Sequence, residues 1–223
     1  MPSSDTVLAG LTALANDWRW LAIAWHVLLG VSVVLFVAGC RPSVRLAGCF
    51  LGAPLLSVSL AAWLAGNPFN GTVFAILGAV LVAKAVGFPD AAVRLGPPTV
   101  GVLGVAFVVF GGTYPHFLRT ESWSTYLYAS PLGILPCPTL SVLIGGTLVF
   151  SNLGSTSWRM ALAGAGLVYG VIGVFRLGVV LDSGLLLGSG VLAVVVASDA
   201  VRRRSIRAAS PGELSCPLPH RTV

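Results

Sequence analysis

From Leu21 to Gly39 the chain carries no Asp, Glu, Lys or Arg, and it returns to this apolar character again and again. Seven apolar stretches can be marked, at residues 20–40, 46–65, 71–88, 99–118, 133–150, 159–177 and 180–200. Each approaches the ~20 residues an α-helix needs to cross ~30 Å of hydrocarbon. Lipid offers the backbone no water, so only helices and closed barrels can span it. Barrel strands alternate polar and apolar residues, and a run such as VLLGVSVVLFVAG does not. With 56% hydrophobic and 9% charged residues, the chain also lacks the polar surface of a soluble domain, in which about 25% of residues are charged. The predicted fold is all-α, an integral membrane helical bundle of about seven transmembrane helices.

Turn chemistry separates the stretches, at Arg41-Pro42-Ser43, Gly66-Asn67-Pro68, Gly96-Pro97-Pro98 and Ser151-Asn152-Leu153-Gly154. Cations in short loops are retained in the cytoplasm. With the N-terminus outside, Arg41, Arg45, Lys84, Arg94, Arg159, Arg202, Arg203, Arg204, Arg207 and Arg221 fall inside, and Arg19, Arg119 and Arg176 outside. This split predicts a multi-pass cell-membrane protein with its C-terminus in the cytoplasm. Trp18, Trp20, Trp25 and Trp123 would then mark the outer interface and Trp158 the inner one. No basic region precedes the first stretch, so a signal peptide is not expected. The domain reading is a seven-helix transmembrane domain at 1–201 and a basic tail at 202–223. The tail is expected to be disordered from about Ser205, because it holds several prolines and little to bury. Its Arg202, Arg203, Arg204 and Arg207 are expected to meet anionic lipid headgroups rather than nucleic acid.

Gly-x-x-x-Gly pairs occur at Gly48/Gly52, Gly166/Gly170 and Gly184/Gly188. Such pairs let membrane helices approach closely. Packing inside the bundle is the expected use, with a homo-oligomer or a partner membrane protein as the alternative. No H-E-x-x-H, G-x-S-x-G or phosphate-binding loop occurs, so neither an enzyme nor a cofactor is expected.

The most unusual string begins at Tyr114-Pro115-His116 and continues to Gly133-Ile-Leu-Pro136-Cys137-Pro138-Thr139. Proline lacks an N–H and clashes with the preceding turn. Pro136 and Pro138 should therefore leave carbonyls near Leu132 and Ile134 without helical partners, giving a proline-broken fifth helix. Carbonyls, the Cys137 thiol and the Thr139 hydroxyl at membrane depth form a candidate site for an ion or small polar solute, with Tyr114 and His116 opposite. The structural alternative is a turn sealed by neighbouring helices. A metal is not expected, because Cys137 and His116 alone would leave it under-coordinated.

The segment SPLGILPCPTLSVLIGG resembles an uncharacterised family of polytopic membrane proteins, domain of unknown function 6064. Pro136-Cys137-Pro138-Thr139 carries the resemblance, with Asn67-Pro68 and Tyr114-Pro115 in similar places. Leu132 stands where that family has an aromatic residue, and Leu140 where it has a second Thr. The resemblance implies a polytopic helical fold and carries over no established activity.

Ionisable residues within the stretches are treated as functional candidates by default. Lys84 can snorkel to the cytoplasmic surface. Arg176 and Asp182 flank the last outer turn and are expected to form a structural ion pair. Asp199 and Arg203 are spaced to pair on one helix face. His26 is expected to hydrogen-bond a neighbouring helix. The functional expectation is a small transporter or permease-like protein for an ion or small polar solute, its path running beside the fifth helix. The alternative is a non-catalytic membrane subunit or scaffold.

Overall fold

The computed structural model describes residues 3–209, and among them the secondary structure is helical, with two isolated β-bridges. Helix α1 is Ser4–Asp17, α2 Arg19–Val37, α3 Val44–Leu64, α4 Pro68–Val86 and α5 Pro98–Gly112. A four-residue turn of helix, α6, follows at Tyr126–Ala129; then come α7 at Pro136–Val149, α8 at Thr156–Val171 and α9 at Asp182–Ala209. Their starts follow local chemistry. Ser3, Ser43, Asn67 and Ser155 each accept a backbone N–H of the first turn, from Thr6, Leu46, Asn70 and Trp158. Pro68, Pro98 and Pro136 open α4, α5 and α7 at a position where a missing N–H costs nothing.

Five helices are long and apolar enough to cross a membrane: α2, α3, α4, α8 with its following turn, and α9. The other two expected spans are shorter. The stretch at 99–118 stops being helical at Gly112, because a residue before proline, here Tyr114, disfavours helical backbone. The stretch at 133–150 becomes helical only at Pro136. Pro136 and Pro138 therefore lie in the first turn of α7 and begin the helix; they do not break it. Helix α9 continues to Ala209, past the expected end of the membrane domain at 201 and through the first residues of the expected disordered tail. The remainder of that tail, residues 210–223, lies outside the described residues.

Helix α7 is the axis of the bundle. Nearly every residue from Pro136 to Leu148 is buried, and α3, α5, α8 and α9 surround it. A helix apolar all round is a core helix, and α7 meets that description. The Gly pairs pack internally, as expected: a Cβ on Gly48 would touch Ala85 of α4, one on Gly170 would touch Leu186 of α9, and one on Gly184 would touch Phe110 of α5. An unexpected closer contact joins α5 to α7, where Gly104 and Gly145 face each other's carbonyls.

The opposite ends of the bundle differ. At one end Arg159 pairs with Asp199 at 2.8 Å, so Asp199 bonds across helices. Arg94 and Asn152 join the α4–α5 and α7–α8 loops there through the Arg94 N–H, at 2.8 Å. Trp158 belongs to this region but is fully buried, donating to the Thr147 hydroxyl, so it is a core residue and does not mark an interface. At the other end α1 lies over the bundle. Its Leu14 and Ala15 are buried, and Asn16 ties it to the loop after α5 by a bond from Nδ2 to the Phe117 carbonyl and another from the Arg119 N–H.

Candidate functional site

The α1 end gathers the polar groups of the bundle, and its centre is a carboxylate. Asp182 is the first residue of α9 and only 2% exposed. The Tyr114 hydroxyl donates to Asp182 Oδ1 at 2.6 Å. The other oxygen lies against Gly173, where any side chain would overlap it. Gly173 belongs to a π-turn, Ile172–Arg176, that ends α8. Turns of this kind are rare and are frequent at functional sites. The Cys137 thiol and the His116 ring also face the carboxylate. Tyr114 lies beyond the end of α5, and burial, with the Asp182 charge beside it, holds its phenol well above the ordinary value. It stays protonated and donates. Arg176, the expected ion-pair partner of Asp182, lies on the same π-turn as Gly173 and is exposed there.

The turn before α7 is closed by hydroxyl groups. Thr139 Oγ1 accepts the Gly133 N–H at 2.8 Å and donates to the Leu135 carbonyl at 2.7 Å. Ser57 of α3 donates to the Gly133 carbonyl at 2.7 Å and accepts from Trp25 Nε1 at 2.9 Å. Gly133 has a φ of +72°, a region that L side chains avoid, and the Trp25 ring occupies the space a Cβ would need. Thr139 thus ties the Gly133 N–H to the Leu135 carbonyl, while the Gly133 carbonyl is taken by Ser57, which gives Thr139 a structural role. His26 bridges α2 to the end of α5: its Nε2 lies 2.7 Å from the Gly112 carbonyl, and Ser130 donates to that same oxygen. The interhelical bond expected of His26 is present.

Beside this turn is a cavity of about 300 Å³. Helix α1 roofs it with Thr6, Gly10 and Leu11, α3 and α4 contribute Ala62 and Asn70, and Pro136 forms part of its wall. Asn70 of its wall is held by α8. Tyr169 of α8 donates to Asn70 Oδ1 at 2.9 Å and lies within electrostatic reach of Cys137, which in turn faces Asp182. Two hydrogen-bonded pairs result, Asn70–Tyr169 at the cavity wall and Tyr114–Asp182 deeper in, with Cys137 in the neighbourhood of both.

Of the residues singled out from the sequence, Tyr114 and Cys137 come together, and His116 approaches the same carboxylate from a half-buried position beside Phe117. Pro136 borders the cavity. Pro138 and Thr139 are buried in the first turn of α7 and serve its geometry. The sequence reading did not find Asn70, Tyr169 or Gly173. Asn70 carried a weak signal, as a polar residue three places after the Asn67 cap; Tyr169 and Gly173 carried none. Compared with protein-family models, with curated proteins and with solved structures, the chain matches none.

Proposed function

We propose that the chain is a small multi-pass membrane protein, permease-like, that admits a small polar solute or ion at its α1 end. The observation that carries this reading is a buried carboxylate with polar neighbours, next to a cavity of about 300 Å³, in a bundle of long apolar helices. Ionisable groups inside such bundles are expensive, and they mark ion and solute pathways. On this reading α5 and α7 are two further, shorter crossings, and the N-terminus is outside. The cation-rich Arg159 end faces the cytoplasm, with the arginines from Arg202 onward against anionic headgroups. Membership of domain of unknown function 6064 rests on Pro136-Cys137-Pro138-Thr139. No enzymatic step is part of the proposal.

Uptake of labelled sugars, amino acids and inorganic ions into vesicles holding the purified protein tests it. Gly10 lines the cavity, and a Cβ there meets nothing within 4 Å, so Gly10→Trp fills space without disturbing the core. Uptake by the native chain that Gly10→Trp abolishes supports the reading. Absence of uptake, together with a stoichiometric companion on purification from native membranes, replaces it with the subunit reading. One observation favours that second reading: only Ala22 of α2 is buried, leaving Val27, Val31 and Val34 exposed for lipid or a partner helix.

A further inference from the structure

We infer that Asp182 is a proton-binding site, and that a proton is the ion coupled to solute movement. The coupling rests on the permease reading; the proton site does not. The ligand chemistry around the carboxylate decides between a proton and a metal cation. Calcium takes six to eight oxygen ligands and magnesium demands a near-octahedral set. Asp182 has neither. Its Oδ1 is occupied by a hydroxyl donor, Tyr114, and its Oδ2 lies against the backbone of Gly173, with no space for a side chain between them. The next group is a thiol, Cys137, and no further oxygen ligand. Among the described residues no three His, Cys, Asp or Glu side chains gather as a metal site. A proton needs no cage, only an oxygen lone pair.

The groups facing Asp182 are Tyr114 from the segment after α5, Cys137 from α7 and His116 from the same loop as Tyr114. From the π-turn comes the Gly173 backbone, and from α8 Tyr169 lies in the neighbourhood of Cys137. Arg176 stands exposed on the π-turn. Two influences oppose each other at this carboxyl group. Burial favours the neutral acid, whereas the Tyr114 donor and the N-terminal position in α9 favour the carboxylate. A group that both takes up and releases a proton needs such a balance. Neutralising a buried carboxylate also removes the cost of separating a charge from its partner when α9 moves or repacks. Protonation is therefore able to bias the position of α9 relative to α5, α7 and the π-turn. Helix α8, whose π-turn lies against the carboxylate at Gly173, also bonds the cavity wall through Tyr169 and Asn70, so a shift at Asp182 reaches the solute site through that helix.

Infrared difference spectra of the full chain in phosphatidylethanolamine and phosphatidylglycerol vesicles, recorded between alkaline and acid pH, read the carboxyl group directly. The expected result is a C=O stretch of a protonated acid that disappears in Asp182→Asn and moves to higher frequency in Tyr114→Phe, where the hydrogen bond is lost. If Asp182→Asn does not fold, the Tyr114→Phe shift decides alone, and a band that stays in place overturns the proposal. A spectrum with no Asp182-dependent band at any pH overturns it as well. An entrapped pH-sensitive dye supplies the second readout: solute uptake by the native chain should acidify the lumen, and Asp182→Asn should abolish that acidification. Uptake without any Asp182-dependent band leaves the permease standing and removes the proton site. The band without uptake of any solute keeps the proton site and removes both the permease and the coupling.

Discussion

The Tyr114 hydroxyl meets the Asp182 carboxylate at 2.6 Å, although the two residues lie 68 apart in sequence. This bond joins the end of α5 to the start of α9 and gives a buried carboxylate its hydroxyl donor. Hydrogen bonds to charged groups contribute about 1.5–3 kcal/mol, and the loss of one partner leaves the other buried and unsatisfied. Tyr114→Phe should lower the stability of the purified protein by about that amount. Unfolding in mixed detergent micelles measures it, and a loss well below 1 kcal/mol would show that the pair is bridged or hydrated.

The α5–α7 contact makes a prediction about two glycines of one helix. A Cβ on Gly104 would lie 2.7 Å from the Gly145 carbonyl oxygen, whereas one on Gly101 meets nothing within 4 Å. Gly104→Ala must push α5 away from the central helix, at a cost of about 1–3 kcal/mol. Gly101→Ala should instead gain up to about 1 kcal/mol from helix propensity. Equal effects of the two changes on thermal stability would mean that the helices are not in backbone contact.

These two relationships differ in how far the sequence foretold them. Lengths of apolar residues report helices directly, so α2, α3, α4, α8 and α9 could be read from the chain, and the Gly pairs pointed correctly to internal packing. Helix α1 was missed because its apolar residues, Val7, Leu8, Leu11, Leu14 and Ala15, form a stripe and not a run; the Ser3 cap and that spacing were the available signal. Hydropathy also overran the ends of α5 and α7, since Tyr114, Ile134 and Leu135 are apolar in composition without being helical. The site was half legible. The rare Tyr-Pro and Pro-Cys-Pro strings drew attention to Tyr114 and Cys137, but their convergence on Asp182 depends on how α5, α7 and α9 pack, which no local pattern records. Trp158 shows the opposite error: its position near a helix start suggested an interface, and a hydroxyl at Thr147 let it be buried instead.

Thr139 carries two hydrogen bonds that hold the turn before α7, so its hydroxyl should matter more than its shape. Thr139→Val keeps the volume and leaves the buried Gly133 N–H without its acceptor, a loss of about 1–3 kcal/mol. Thr139→Ser should retain most of the stability. Thermal unfolding of the two variants separates these outcomes, and a Val variant as stable as the Ser variant would remove Thr139 from the turn's support.

The distribution of cations sets the orientation. A reporter fused after Ala208 should be cytoplasmic, and one fused before Thr6 should be outside. Reporters on the same side at both ends would require an even number of crossings, and the two short helices α5 and α7 would be the first place to look for the missing one.

The cavity under α1 makes the last prediction, because water inside it distinguishes a solute site from a packing gap. Ala62 is buried in α3 yet lines the cavity, so a cysteine there should face its interior. In a chain whose own cysteines have been replaced, Ala62→Cys should react with a small hydrophilic thiol reagent added from outside. Cys137 kept as the sole cysteine should react more slowly. It packs partly against the hydrophobic core inside the bundle, where a hydrophilic reagent has less access than in the cavity. Both should label fully after denaturation, which shows that each is reactive in principle. Labelling of Ala62→Cys that appears only after denaturation means that α1 seals a dry gap, and the subunit reading then replaces the permease. Native labelling of Ala62→Cys that a transported solute suppresses identifies the cavity as the place where that solute binds.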